Sequence, residues 1–359
     1  MKKIGIVTFH RALNYGAILQ CYALYKILST KYDCEVINYY SKQMESIYYP
    51  KMSIVSLIKK IINFLMNPKR IIHNNRRVHK FNDFRKKCLK LSNKYSSSNI
   101  KNANSKYDAF ISGSDQVWNP DCNCCDPIFY LSFAEKNKKF SYAASFGADR
   151  FDDKNYNYLR QNLYGFNNYS VREPEGIEIL KKIGIEKGYV DCDPVFLLSK
   201  GEWASMCSLK RSNNYVLVYN MAKQKNANSF ALELAKKNGL DILYVNHSGS
   251  KVVPSGMRNK DDLGPLDFLS LILNANYVVT TSFHGLAFSL IFNIPFYYEL
   301  DSAEKNKNSR LLNLVSCYEL QKYNITSKDI SNVYDWDTIN SKIKNVSSTS
   351  RKHLLNLNV

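Results

Sequence analysis

The sequence predicts an α/β protein built from two Rossmann-like domains that face each other across a cleft. Short apolar runs of strand length alternate with helical segments over most of the 359 residues, and this alternation implies parallel sheets covered by helices on both faces. The alternation also restarts in the middle of the chain, whose length exceeds what a single core usually holds.

The first half begins with a buried strand over residues 3–9, which leads into a polar turn and a helix whose apolar residues recur at helical spacing. Further strands are predicted at 34–39, 108–112, 140–145 and 169–172, and a helix at 174–183. We assign residues 1–200 to an N-terminal Rossmann-like domain.

The second half begins at Tyr215, with strands predicted at 215–220, 241–246, 277–282 and 295–300 and helices between them. We assign residues 201–359 to a C-terminal Rossmann-like domain that ends in a C-terminal helix, with residues 193–212 as the joint. Ligands of open parallel sheets bind beyond the carboxyl ends of the strands. The loops after the strands are therefore where we expect chemistry.

One segment, residues 45–100, does not follow the alternation and is predicted to be a basic helical insertion. Its part from residue 51 holds thirteen Lys or Arg against the single acid Asp83. The stretch 53–66 combines an apolar stripe with lysines, as an interfacial helix does. Two interpretations remain open: peripheral contact with the inner membrane face, or a helical pair packed on the first domain with a solvated basic face.

The composition narrows the class of protein. The net charge of +19 accompanies abundant Lys, Asn, Ile and Tyr, as expected from an AT-rich genome, so it does not by itself indicate a nucleic-acid partner, and we expect none. No signal peptide or membrane-spanning run is recognisable, which predicts a cytoplasmic protein. The nine scattered cysteines are interpreted as reduced thiols, and we expect no metal.

Two loops of the first half could contact a ligand. Asn14, Tyr15 and Gly16 lie at a helix start, where free backbone amides attract an anion; a simple tight turn is the alternative. The second loop follows the strand at 108–112 and combines a carboxylate, hydroxyl and amide groups and an indole, as a sugar site would. Its candidates are Ser114, Asp115, Gln116, Trp118 and Asn119. The alternative is that Asp115 caps a helix and Trp118 packs inward.

Two further candidates lie at strand ends. Arg172 precedes a helix start, where its guanidinium can hold a carboxylate or phosphate in a fork, unless it pairs with an acid such as Glu173. His284 follows a buried strand through Ser282 and precedes Gly285. An imidazole at this edge is suited to proton transfer near neutral pH, although a structural histidine is the alternative.

These motifs together resemble the polysaccharide pyruvyl transferase family. The matching stretches occur in the same order along residues 4–298: TFHRALNYGAILQCYAL, YDAFISGSDQVWNP, FSYAASFGA, YSVRE, VDCDPVFLL, GPLDFLSLILNANYVVTTSFHG and FSLIFNIPF, with a further match at NSRLLNL. The resemblance implies a GT-B-like glycosyltransferase architecture, phosphoenolpyruvate as the donor substrate, no separate cofactor, and a pyruvate ketal on a saccharide or lipid-linked saccharide of a bacterial surface polysaccharide, such as a capsule or exopolysaccharide.

The resemblance also implies roles for the candidates. His284 would be the acid, Arg172 and Arg310 would bind the donor's anionic groups, and Asp115 would act as a base or orient the attacking hydroxyl. The chain departs from the pattern at Ser282, where family members often carry an arginine. Two alternatives remain open: a nucleotide-sugar-dependent glycosyltransferase of the same fold, and a non-catalytic glycan-binding relative.

Overall fold

A computed structural model describes residues 1–48, 68–208, 214–221, 225–246, 253–300, 308–328 and 330–359. Within these residues the chain forms two parallel sheets with helices packed against them. The predicted fold class, an α/β protein with two Rossmann-like halves, is confirmed.

The first sheet is formed by the first half of the chain. Its described strands lie in the order β3-β2-β1-β4-β5-β6-β7, and all adjacent pairs are parallel. The strands are β1 Lys3–Val7, β2 Asp33–Tyr39, β3 Leu91–Tyr95, β4 Ala109–Asp115, β5 Lys139–Ala144, β6 Ser170–Val171 and β7 Tyr189–Val190. The strand order changes direction between β1 and β4, and such a switch point opens a crevice at the carboxyl ends of the two strands.

The second sheet is formed by the second half. Its described strands lie in the order β10-β9-β8-β11-β12, again all parallel. They are β8 Tyr215–Tyr219, β9 Asp241–Val245, β10 Arg258–Lys260, β11 Tyr277–Thr280 and β12 Phe296–Tyr298. Here the switch point lies between β8 and β11.

The helices connect the strands and cover the sheets. Those in the described residues are α1 Tyr15–Leu28, α2 Lys42–Tyr48, α3 Pro68–Cys88, α4 Asp153–Asn162, α5 Pro174–Lys182, α6 Lys200–Ala204, α7 Lys225–Asn238, α8 Pro265–Leu273, α9 Phe283–Phe292, α10 Ser309–Cys317 and α11 Trp336–Leu355. None of them has the length and apolar character needed to cross a membrane.

The predicted insertion at residues 45–100 is only partly helical. Residues 91–95 form β3, which pairs with β2 as an edge strand of the first sheet, so the prediction was wrong there. This short strand, LSNKY, has apolar or aromatic residues only at its two ends and its burial does not alternate, so its sequence gives no strand pattern that stands out from the basic residues around it. The amphipathic stretch at 53–66 lies outside the described residues.

The basic residues of α3 bind the second half of the chain. Lys80 Nζ lies 2.9 Å from the carboxylate of Asp267 and donates to the backbone carbonyl of Asp262, and His73 Nδ1 lies 2.7 Å from Asp261. Part of the positive charge in this segment is therefore used in contacts between the halves.

The two halves share one apolar core. Tyr15 of α1 stacks on Phe268 of α8 with ring centroids 4.6 Å apart. The C-terminal helix α11 also returns to the first half, where Ser350 accepts a hydrogen bond from the backbone of Cys192 and His353 contacts Asp191 at 2.9 Å. These contacts bring the carboxyl edges of the two sheets together.

Candidate functional site

The candidate site lies where the switch points of the two sheets meet. His284 follows β11, and its imidazole lies directly against the backbone of Gly16, in the first turn of α1. A side chain at Gly16 would overlap the imidazole ring. The glycine therefore allows close approach between a helix of one half and the candidate acid of the other.

The local sequence explains how His284 is positioned. Ser282 is the N-cap of α9, and its hydroxyl accepts a hydrogen bond from the backbone of Gly285 at 3.4 Å. A Cβ atom at Gly285 would lie 2.5 Å from the Thr280 hydroxyl, so this glycine packs against the end of β11. Ser282 and Gly285 thus hold the turn that carries the imidazole.

Asp193 is the buried carboxylate at the centre of the site. Its Oδ2 atom lies 2.6 Å from Arg172 Nη1, 3.5 Å from the Ser114 hydroxyl and 3.6 Å from His284 Nε2, and its Oδ1 accepts from the backbone of Val195 at 3.1 Å. Burial alone would raise the pKa of Asp193, but the contact with His284 and the charges of His284 and Arg172 lower it well below its ordinary value.

Arg172 is enclosed by acids. Its Nε donates to Glu173 at 2.9 Å, its Nη1 donates to Asp193, and its guanidinium lies over the ring of Phe283 at 4.7 Å. Burial alone would lower the pKa of Arg172, but these two carboxylates raise it above its ordinary value. The ion pair with Glu173, open as an alternative from sequence, is therefore present, and only Nη2 remains without a partner among the described residues.

Arg310 and Asp115 form a looser pair. Arg310 Nη1 lies 3.9 Å from Asp115 Oδ1. Burial, followed by the charge of Arg172, lowers the pKa of Arg310, and Asp115 partly offsets this. Asp115 ends β4 with a φ of 66°, a left-handed conformation that is uncommon for a residue other than glycine and concentrates at functional sites.

Two buried guanidinium nitrogens of this site, Arg172 Nη2 and Arg310 Nε, have no hydrogen-bond partner within the described part of the chain, and the buried His284 Nε2 has only the 3.6 Å contact with Asp193. Buried guanidinium nitrogens are costly to leave unpaired. An anionic ligand in the crevice would supply the missing acceptors.

A cavity of about 400 Å³ lies beside the two arginines. Arg172, Glu173, Asp193, Phe283 and Arg310 line it, together with apolar residues of α10 and α11. Helices α5, α9 and α10 all begin at its wall, since Pro174, Phe283 and Arg310 lie in their first turns. Helix amino ends carry partial positive charge and favour an anion.

Other predicted site residues have structural roles. Trp118 and Tyr15 are fully buried: the indole of Trp118 donates to Ser112 and packs on Phe146, and Tyr15 stacks on Phe268. Neither ring lines the cavity beside Arg172 and Arg310. Burial of a large aromatic ring stabilises the fold, so the ring packs inward even where its position in a loop suggests exposure.

The remaining polar candidates are mostly engaged with the backbone. Asn119 is buried, and its amide oxygen accepts from the backbone of Asp121. Asn14 caps α1 by accepting from Ala17, and Gln116 accepts a contact from the Cys122 thiol at 3.5 Å. Ser114 is buried, and its hydroxyl donates to the carboxylate of Asp193. Its role is therefore to hold that carboxylate in place.

Sequence reasoning missed Asp193 and Glu173. Glu173 was considered only as a competitor for Arg172, yet it also accepts from Ser145 at 2.7 Å. A signal for Asp193 was available, because it is the third residue after β7, in the VDCDP stretch. An acid at a strand end before a proline is also a common helix cap, which is why it did not stand out.

Comparison with one solved structure supports the architecture, and two others are similar at lower TM-scores. The UDP-GlcNAc 2-epimerase of Methanocaldococcus jannaschii matches over 97% of this chain and 94% of that chain, with a TM-score of 0.50 and 12% identity. The UDP-GlcNAc 2-epimerase of Neisseria meningitidis matches over 98% and 100%, at 0.46 and 11%, and the E. coli heptosyltransferase WaaC over 83% and 87%, at 0.36 and 9%. At these identities the likeness concerns the fold alone. No curated protein matches the chain.

The fold and the interdomain crevice define a two-domain α/β protein of the GT-B type, as the sequence predicts. Residues 14–298 match the polysaccharide pyruvyl transferase family, so the chain belongs to that family. Family membership makes the protein a polysaccharide-modifying transferase.

Proposed function

We propose that the protein transfers the pyruvyl unit of phosphoenolpyruvate to two hydroxyls of a free or lipid-linked saccharide, and so forms a cyclic ketal. The observation that carries this proposal is that two buried arginines with unpaired nitrogens, Arg172 and Arg310, line one cavity together with Asp193, the carboxylate that contacts His284. Phosphoenolpyruvate offers a carboxylate and a phosphate, which are the acceptors that such donors require.

The balance of charges at the site favours binding of the anionic donor when His284 is protonated. Two guanidinium groups, Arg172 and Arg310, face the three carboxylates Asp115, Glu173 and Asp193. The side chains alone are therefore not strongly positive. A protonated imidazole next to Asp193 and the amino ends of three helices supply the remaining attraction for an anion.

The chemistry starts with the transfer of a proton from His284 to the methylene carbon of the donor, which leaves positive charge on the central carbon. One sugar hydroxyl attacks that carbon and gives its proton to Asp115. The bond between the central carbon and the phosphate oxygen then breaks, and the second hydroxyl closes the ketal. Of the two hydroxyl protons, one replaces the proton used from His284 and the other leaves on hydrogen phosphate, so atoms and charges balance.

Thermal stabilisation by ligands tests this proposal and separates it from the nucleotide-sugar alternative. We expect phosphoenolpyruvate to raise the melting temperature in a concentration-dependent way. The Arg310→Met variant should lose this shift. A shift with UDP or ADP and none with phosphoenolpyruvate would support the glycosyltransferase alternative instead, and no shift with any anion would favour a non-catalytic relative.

We also propose that the protein contacts the inner membrane face through α3. The cations of this helix that are not buried against the second half include Lys69, Arg70, Lys86 and Lys87, all of which are exposed. Basic clusters gain about 1 kcal/mol per residue at an anionic surface. A lipid-linked acceptor would be presented at that surface.

A further inference from the structure

A second, smaller cavity lies between the loops that follow β1 and β2. Its volume is about 30 Å³, and its walls include His10, Arg11, Tyr39, Glu45 and Phe129. It lies at the carboxyl edge of the first sheet, where open parallel sheets bind ligands. None of the residues that line it belongs to the site around His284.

His10 brings an unpaired acceptor to this cavity. Its side chain is almost completely buried, and its Nδ1 lies 3.2 Å from the carbonyl oxygen of Thr8. Because a carbonyl can only accept, the proton is on Nδ1, and Nε2 carries a lone pair. Nε2 is buried and makes no hydrogen bond of ordinary length in the described ranges, although the side chain of Asn38 is close enough to act on the imidazole.

The chemistry of His10 restricts the ligand. Burial outweighs the hydrogen bond to Thr8 and lowers the pKa of His10 to about 3, so the imidazole is neutral at physiological pH. A neutral Nε2 lone pair needs a hydrogen-bond donor. A hydroxyl group satisfies this need, whereas a phosphate or carboxylate does not.

The rest of the cavity combines a fixed polar rim with an aromatic wall. Arg11 pairs with the buried carboxylate of Glu45, with Nη2 3.2 Å from Oε2. Phe129 packs edge-on against Phe9, with ring centroids 4.8 Å apart, and against Tyr39. A few oriented polar groups on an apolar surface are typical of sites for small polar ligands such as sugars.

The size of the cavity suits a small part of a sugar. One water needs about 10 to 15 Å³ by this measure, so 30 Å³ holds two water-sized groups. A hydroxymethyl group has that size, with one carbon for the aromatic wall and one hydroxyl for His10.

We propose that this cavity is a hexose subsite, in which the exocyclic hydroxymethyl group donates a hydrogen bond to His10 Nε2. That this hexose is part of the acceptor saccharide rests on the proposed function. That the cavity binds a hexose is independent of the proposed function. The same loop runs from His10 to Gly16, which touches His284. Six residues span at most about 21 Å, so a short oligosaccharide can contact both places.

Saturation-transfer NMR without phosphoenolpyruvate tests the subsite. The probes are methyl α-D-glucopyranoside, methyl β-D-galactopyranoside and their 6-deoxy counterparts, at millimolar concentration. We expect saturation of the exocyclic methylene protons of at least one hexoside. We also expect about 3- to 10-fold weaker binding of its 6-deoxy form, the factor that one hydrogen bond contributes.

Two variants locate the binding. His10→Phe removes the acceptor and fills the cavity, and should abolish the signal; His79→Phe, at an exposed position of α3, is the matched control and should not. If His10→Phe fails to unfold cooperatively, Ala12→Val narrows the same cavity without removing a polar group.

Unchanged hexoside binding in both cavity variants overturns the proposal. So does the absence of hexoside binding to the wild type, with a crystal structure that shows only a water bound to His10. Hexoside binding that persists when phosphoenolpyruvate neither binds nor turns over would refute the proposed function and leave the subsite intact.

Discussion

The backbone of Gly16 and the imidazole of His284 are in direct contact across the boundary between the two halves, with no room for even a Cβ atom at Gly16. The contact fixes the position of the imidazole relative to α1 and explains why a glycine stands at the second residue of that helix.

Gly16→Ala should therefore displace His284 and reduce turnover strongly, by about 10²-fold if the imidazole moves by about 1 Å. The measurement is phosphate release from phosphoenolpyruvate. Gly201→Ala is the matched control, since this glycine also lies in a helix and an added Cβ would be 4.0 Å from its nearest neighbour. Equal activity of the two variants would show that the contact has no role in catalysis.

His284→Gln should keep the fold and lose the contribution of general acid catalysis, about 10² to 10⁴-fold in turnover. Glutamine retains a hydrogen-bond donor but cannot deliver a proton. The measurement combines phosphate release with the melting temperature. A variant with wild-type melting temperature and more than about a tenth of the turnover would contradict the assignment of His284 as the acid.

Substitution of Arg172 should mainly reduce stability, whereas substitution of Arg310 should mainly weaken donor binding. Arg172→Met leaves Glu173 and Asp193 buried without their cation, and should lower the free energy of unfolding by about 3 to 5 kcal/mol. Arg310 is partly exposed and contacts Asp115 only at 3.9 Å, so Arg310→Met should cost much less stability and instead raise the KM for phosphoenolpyruvate. Denaturant titration and steady-state kinetics give the two quantities. Equal losses of stability would refute the distinction.

Asp193→Asn should change the dependence of stability on pH. The pKa of Asp193 is lowered in the folded protein, so the unfolded state takes up this proton at higher pH than the folded state does. The stabilisation is complete above about pH 4, the ordinary range of an aspartate, and is lost as the pH falls below it.

The difference in unfolding free energy between the wild type and Asp193→Asn should accordingly be largest above about pH 4 and shrink at lower pH. Denaturant titrations over a pH series measure it, with Asp121→Asn at an exposed turn as the control. A difference that does not vary with pH would indicate that Asp193 is not ionised in the fold.

Binding to the membrane face should depend on anionic lipid and on salt. Co-sedimentation with vesicles that contain phosphatidylserine should exceed that with neutral vesicles at low ionic strength, and added salt should reduce it. Replacement of Lys69, Arg70, Lys86 and Lys87 by Gln should weaken it. Equal recovery on neutral and anionic vesicles would exclude this role.

The sequence alone predicted the two-sheet architecture and placed the candidate site at the carboxyl ends of the strands. Regular alternation of strands and helices is a local property, and a buried parallel strand such as β8, with the sequence YVLVY, forms an uninterrupted apolar run. The position of His284 after β11 followed in the same way. The environment of His284 could not be predicted in this way. The sequence indicates that a helix begins at this residue, but not that the carboxylate of Asp193 lies 3.6 Å from its Nε2 atom.

The tertiary structure decided which polar and aromatic residues face the crevice. Trp118 and Asp115 lie on one short loop, yet the indole is buried and the carboxylate faces Arg310. Spacing within a loop does not determine which way a side chain points. Likewise, the basic residues of α3 suggested a surface interaction, and only packing of the halves revealed that Lys80 binds Asp267. The periodicity of apolar residues predicts helices and strands from the local sequence. Contacts between residues far apart in the chain arise only when those helices and strands pack together.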